Sequence, residues 1–179
     1  MYIYFKRHDK VNFNWQKKYN SHQFNAACEQ YDQESLRCND SVSEFYDVEQ
    51  VYVSSLSRTA KTYAKLNMQT PYLICNELNE VPIKAFVNTS FRLPTIVWFV
   101  VGRLQWLLQS SIQPETKRQT VVRVDRFIEH CLLGNSNVLI VGHGFCFTVF
   151  KKRLKRKGYK IKGAKIRLQN GETVQFFKS

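Results

Sequence analysis

The chain reads as an α/β protein, a three-layer α/β/α arrangement around a mostly parallel central sheet. Three observations predict this. The apolar runs Tyr2-Ile3-Tyr4-Phe5, Val51-Tyr52-Val53 and Val138-Leu139-Ile140-Val141 have the length and β-branched, aromatic character of strands buried on both faces. Segments of helical spacing separate them, and strands alternating with helices imply a parallel sheet covered on both sides. Each run also ends in polar residues, Arg7-His8, Ser54-Ser55 and Gly142-His143-Gly144. Ligands bind beyond the carboxyl ends of strands in such sheets.

Each element has a local justification. Tyr2 to Phe5 opens the chain as a strand, and the polar stretch around Asn12, Asn14 and Lys17-Lys18 reads as a loop. His22 to Gln33 is a helix with Phe24, Ala27, Cys28 and Tyr31 on one face. Arg37 to Ser43 is turn-rich. The second strand lies within Val48 to Ser54. Ser57 is placed to cap a helix from Arg58 to Leu66 with Ala60, Tyr63 and Ala64 inward. Tyr72-Leu73-Ile74 is a short third strand, and Cys75 to Ser90 is a connection. Phe91 to Gln109 is predicted to be a mostly buried helix. Pro114-Glu115 is placed to open the next one, whose apolar positions are Val121, Val124, Phe127, Ile128 and Cys131. The strand within Asn137 to Gly142 precedes a helix from Phe145 to Lys157. Tyr159 to Phe177 alternates and turns at Asn170-Gly171, the pattern of a β-hairpin. No linker divides the chain, so residues 1–179 form one expected domain.

Charge narrows the function classes. The formal net charge is +13, which calls for an anionic partner: a phosphorylated molecule, nucleic acid or a membrane surface. Ten of the seventeen residues from Lys151 to Arg167 are Lys or Arg, read first as a solvated basic face. The five cysteines show no C-x-x-C pair and no metal-ligand spacing with the histidines. Free thiols, a cytoplasmic location, no metal and no cofactor are therefore expected. No signal peptide is expected. The segment Leu93 to Leu108 is interrupted by Gly102 and Arg103 and is short for a bilayer span, so no membrane contact is expected either.

If the strands are parallel, Arg7, His8, Arg58 and His143 converge on one rim as a cationic cup of phosphate size. Neutral His8 could attack phosphorus and form a phosphohistidine. Arg7 and Arg58 would hold the non-bridging oxygens as forks, and His143, if protonated, would donate to them. A carboxylic acid must protonate the leaving alkoxide and then activate water; the candidates are Glu80 and Glu77.

These residues carry a family resemblance. The chain resembles the histidine phosphatase superfamily, with its phosphoglycerate mutase-like fold, in the small phosphatase branch. The family's strand followed by Arg-His-Gly is matched by Tyr4-Phe5-Lys6-Arg7-His8-Asp9. Its Ser-Ser-x-Leu-x-Arg-Ala-x-x-Thr block is similar to Ser54 through Thr62, and its apolar strand into His-Gly to Val138 through Gly144. Leu78-Asn79-Glu80-Val81-Pro82 fits the context of the family's acid, and Glu115-Thr116 with Arg123 resembles its Glu-Ser…Arg helix. The resemblance implies that His8 is the phosphorylated nucleophile, that Arg7, Arg58 and His143 complete the phosphate pocket, and that Glu80 is the proton donor. It also implies a phosphate contact for Asn14. Asp9 replaces the usual glycine, and Val11 stands where many members have Ser or Thr.

The expected activity is metal-independent hydrolysis of a phosphomonoester, with a phosphorylated small molecule as substrate. Two alternatives are a non-catalytic module binding RNA or another polyanion through the basic C-terminal third, and a phosphomutase. Neither the physiological substrate nor the oligomeric state is encoded legibly.

Overall fold

The computed structural model describes residues 1–37, 44, 46–132, 134, 136–162 and 168–178. Strands β1 (Tyr2–Arg7) and β2 (Lys18–Tyr19) precede helix α1 (Ser21–Gln33). Strand β3 (Gln50–Ser54), helix α2 (Ser57–Ala64) and strand β4 (Tyr72–Cys75) follow. A 3-10 turn at Asn76–Leu78 leads to β5 (Leu93–Pro94), α3 (Thr95–Leu107) and α4 (Lys117–Cys131). The chain continues through β6 (Val138–Gly142), α5 (Gly144–Arg156), β7 (Lys160–Lys162) and β8 (Thr173–Phe177).

Among the described residues, six strands form the central sheet in the order β4-β3-β6-β1-β8-β7. The first four are parallel, and β8 runs antiparallel to both β1 and β7. The register sets Arg7 beside Gly142 and Ser54 beside Cys75, so the reactive strand ends share one rim as expected. Alternation along each strand feeds two cores. Ile3, Phe5 and Ile140 pack with Phe127, Phe147 and Phe150 of α4 and α5 on one face. Val51, Val53, Leu139 and Val141 pack with Tyr63 of α2 on the other. A lateral cluster joins α1 to α3, with Phe24 stacked on Trp98 at 5.5 Å.

Several boundaries depart from expectation, each for a physical reason. Helix α3 starts at Thr95 because Leu93 and Pro94 pair antiparallel with β2 instead. It is also not mostly buried: Trp98, Gly102 and Trp106 face inward, while its other side is open to solvent. Helix α4 starts at Lys117 behind a Thr116–Gln119 capping box, which leaves Glu115 free for another partner. Ser57 is the first residue of α2 and not its cap. The inner face of α2 carries Arg58, Thr59, Thr62 and Tyr63, with Ala64 exposed, because the helix turns polar residues towards the strand ends. The Asn170-Gly171 turn exists, with Gly171 at φ 76°. It stands directly before β8 and does not close a tight hairpin. The turn-rich stretch after Arg37 and residues 163–167 of the basic run lie outside the described residues.

Candidate active site

His8 leaves the end of β1 into the interior, 2% exposed. Its N–H donates to the Gly142 carbonyl at 3.0 Å, extending the pairing of β1 with β6 by one residue. Its ring Nδ1 lies 2.7 Å from the Asp9 carbonyl oxygen. A carbonyl only accepts, so Nδ1 carries the proton and Nε2 keeps its lone pair. Burial, then the charge of Arg58, with Arg7 adding to it, lowers the pKa of His8 to about 3 against the weaker opposing pull of the Asp9 carbonyl. The imidazole is neutral near pH 7. The turn before β8 holds this segment from the other side. Gly171 N–H donates to the Arg7 and His8 carbonyls, both at 3.2 Å, and Asn170 Nδ2 donates to the His8 carbonyl at 3.0 Å.

The other cup residues surround that ring. The His8 and His143 ring centres are 5.1 Å apart. His143 is fully buried, and Arg58 Nε donates to its Nδ1 at 3.2 Å. Because a guanidinium cannot accept, Nε2 of His143 holds the proton and donates to Ser54 Oγ at 2.7 Å. Burial, followed by Arg58, pushes the pKa of His143 well below its ordinary value. The condition that His143 be protonated is thus not met in this arrangement, and both its ring nitrogens are engaged. Arg58 is itself buried, paired with Asp32 of α1 at 2.7 Å and lying 5.4 Å from the centre of the Tyr31 ring. Arg7 Nη1 donates to the Leu168 carbonyl at 2.9 Å. Its guanidinium crosses Gly144 so closely that a Cβ there would sit 2.7 Å from Arg7 Cζ.

Glu80 closes the arrangement at the start of α5, the helix that follows His143. Its Oε1 accepts from Val81 N (2.9 Å) and Cys146 N (2.8 Å), and its Oε2 accepts from Phe145 N (3.1 Å). The carboxylate therefore occupies the positive end of the helix, where orphan amides need acceptors. Oε2, with one bond, is the oxygen with capacity left for a proton. Glu77 differs: its charge bears on Cys75 and Cys131, away from the histidines. Glu115 and Arg123 form a two-pronged ion pair, Nε–Oε1 at 2.7 Å and Nη2–Oε2 at 3.1 Å, and Arg123 Nη1 also donates to the Glu77 carbonyl at 2.5 Å. That pair ties α4 to the loop carrying Glu80.

Asn14 and Asp9 have partners outside this cluster. Asn14 is exposed and accepts from Arg37 Nη2 at 3.2 Å. With Gln16, Tyr19 and His22 it lines an open cavity of about 450 Å³ on α1, and the structure does not bring it into the cluster of His8, Arg58 and His143. Asp9 turns its carboxylate to Lys65 Nζ at 3.1 Å and donates its backbone N–H to Thr62 Oγ1 at 2.9 Å. Among the described non-glycine residues only Asn67 and Gln109 have positive φ, so this position does not need the backbone freedom of glycine.

The sequence assigned no role at the site to Ser54, Asp32, Asn170 or Arg103. Arg103 registers in the sequence only as a break in an apolar run. It lies 3.9 Å from the centre of the Phe145 ring and donates to the Val81 and Pro82 carbonyls beside Glu80. A lone arginine inside an apolar helix was the available signal, since burying it demands such partners.

A profile described as "Histidine phosphatase superfamily (branch 1)" matches residues 3–175. Solved structures with the same fold include an alpha-ribazole phosphatase from Shigella flexneri, at 18% identity and TM-score 0.59, covering 98% of this chain and 89% of that one. A mycobacterial glucosyl-3-phosphoglycerate phosphatase is similar at 14% identity and TM-score 0.60, with 97% and 88% covered. The product of an open reading frame from Mycobacterium tuberculosis is similar at 13% identity and TM-score 0.62, with 97% and 89% covered. No curated protein sequence matches the chain.

Proposed function

Because the chain belongs to the histidine phosphatase superfamily, we propose that it hydrolyses phosphomonoesters through a phosphohistidine on His8, with Glu80 as proton donor. The observation that carries this reading is the state of His8: buried, neutral, protonated on Nδ1 and set beside two arginines. Nε2 attacks phosphorus as the ester oxygen departs. Arg7 and Arg58 bind the non-bridging oxygens and offset the charge that spreads onto them. Protonated Glu80 gives its proton from Oε2 to the leaving oxygen. The resulting carboxylate then takes a proton from water as that water attacks the phosphohistidine, returning His8 and releasing inorganic phosphate. The arginines supply the charge stabilisation this scheme needs, so no metal enters it.

The substrates proposed are phosphorylated small molecules, in keeping with the names of phosphatases that share the fold. The free thiols at Cys28, Cys75, Cys131 and Cys146 fit a reducing compartment such as the cytoplasm. Pairing of Asp9 with Lys65 favours hydrolysis over a non-catalytic module, because the added negative charge is matched locally. The test is turnover of an aryl phosphate in the presence of a chelator, with vanadate inhibition, loss of activity in His8→Ala and phosphohistidine on acid quench. Correctly folded wild-type protein that turns over no phosphate ester and forms no phosphohistidine would overturn it.

A further inference from the structure

Among the described residues, the outer face of α3 is an apolar stripe without a partner. Trp98, Gly102 and Trp106 point inward at helical spacing. Opposite them Ile96, Val100, Leu104 and Leu108 are 66, 50, 49 and 76% exposed. Along twelve residues of helix that stripe runs about 18 Å. Phe91, 78% exposed, extends it past the amino end. Scattered apolar residues on a surface need no explanation, whereas a contiguous stripe marks a contact.

Charge identifies the contact. At the amino end, the pairing of β2 with β5 gathers Lys17, Lys18 and Arg92: Thr95 N–H donates to the Lys17 carbonyl and Arg92 reaches the Lys18 carbonyl. At the carboxyl end, Arg118 N–H donates to Gln109 Oε1, which brings exposed Lys117 and Arg118 to the same place. Both ends of the stripe therefore carry cations. Between Val81 and Pro114 the sequence contains no Asp or Glu. A second copy of the chain would set these cations against their own kind, with a net charge of +13 on each partner. Anionic headgroups accept both features at once: the stripe enters the headgroup–acyl boundary and the flanking cations remain among the phosphates.

We propose that α3 docks this protein in the plane of an anionic membrane surface, with Ile96, Val100, Leu104 and Leu108 inserted and Lys17, Lys18, Arg92, Lys117 and Arg118 on the headgroups. The proposed docking departs from the expectation of no membrane contact. The inference is independent of the catalytic reading, since none of these residues belongs to the cup. Among the described residues no helix is long and apolar enough to cross a bilayer; the proposed contact is interfacial.

The test is flotation of the full chain with vesicles of phosphatidylcholine alone and of phosphatidylcholine containing phosphatidylglycerol, at low and high salt. Light scattering without lipid accompanies it. Wild type binds the phosphatidylglycerol vesicles, and salt weakens the binding. Val100→Glu/Leu104→Glu lowers affinity by about tenfold or more, as does Lys17→Gln/Lys18→Gln/Arg92→Gln; circular dichroism checks that each variant folds. Absence of wild-type binding to either vesicle would sink the proposal. So would binding unchanged by Val100→Glu/Leu104→Glu, which would reveal general basic attraction. A dimer that dissolves in that variant, without lipid binding, would assign the stripe to a second copy instead.

Discussion

Gly144 shows how one residue governs the geometry of the cup. Its missing side chain is the space through which the Arg7 guanidinium passes. Gly144→Ala displaces that guanidinium and lowers kcat/KM on an aryl phosphate by about tenfold to a hundredfold. Melting stays near wild type, because the displaced group is the end of a flexible side chain; steady-state kinetics beside a thermal melt checks both. At this scale the sequence was legible where a residue follows directly from a strand. Arg7, His8 and His143 sit at predicted strand ends, and Arg58 at a predicted helix start. Asp32 and Asn170 were not legible, because their contacts to Arg58 and to the His8 carbonyl depend on which elements become neighbours.

At the scale of elements, the segment from Asn76 to Val81 delivers Glu80, the proposed acid, and the amino end of helix α5 receives its carboxylate. Glu80→Gln removes the proton while keeping an oxygen for the helix amides. Turnover of an alkyl phosphate then falls by about a hundredfold or more, while 4-nitrophenyl phosphate, whose leaving group departs without a proton, loses far less. Comparing the two substrates separates acid catalysis from a structural loss. The Glu115–Arg123 pair braces the same segment from α4. Arg123→Met leaves Glu115 and the Glu77 carbonyl short of donors in a partly buried place, and stability falls by about 2 kcal/mol in urea denaturation. Helix α3 is where legibility failed most. Its apolar content promised burial, but among the described residues only the face bearing Trp98, Gly102 and Trp106 is buried. Hydrophobicity records what a segment can bury, and topology decides how much of it is covered.

Across the whole molecule, the two buried histidines make stability depend on pH. In the unfolded chain each takes up a proton as pH falls through its ordinary value of 6.5. Native His8 stays neutral down to about 3, and His143 is also held well below 6.5. Below 6.5 the unfolded state thus binds more protons than the native one. Stability is complete above that pH and falls as pH drops below 6.5; His8 contributes about 1.4 kcal/mol per pH unit down to about 3, and His143 acts in the same direction. Melting temperature should decline steeply between neutral pH and pH 5, and His8→Gln should flatten the slope; an unchanged slope would count against buried neutral histidines. The sheet connects this chemistry to biosynthesis. His8 and Asn170, whose side chain clasps the His8 carbonyl, are 162 residues apart. At ordinary translation rates the histidine emerges roughly 10–30 s before its clasp. Strand β1 also waits for β6 and β8, its partners on either side. The nascent polypeptide accordingly carries its proposed phosphoryl acceptor in an unassembled form until β6 and β8 have both been made.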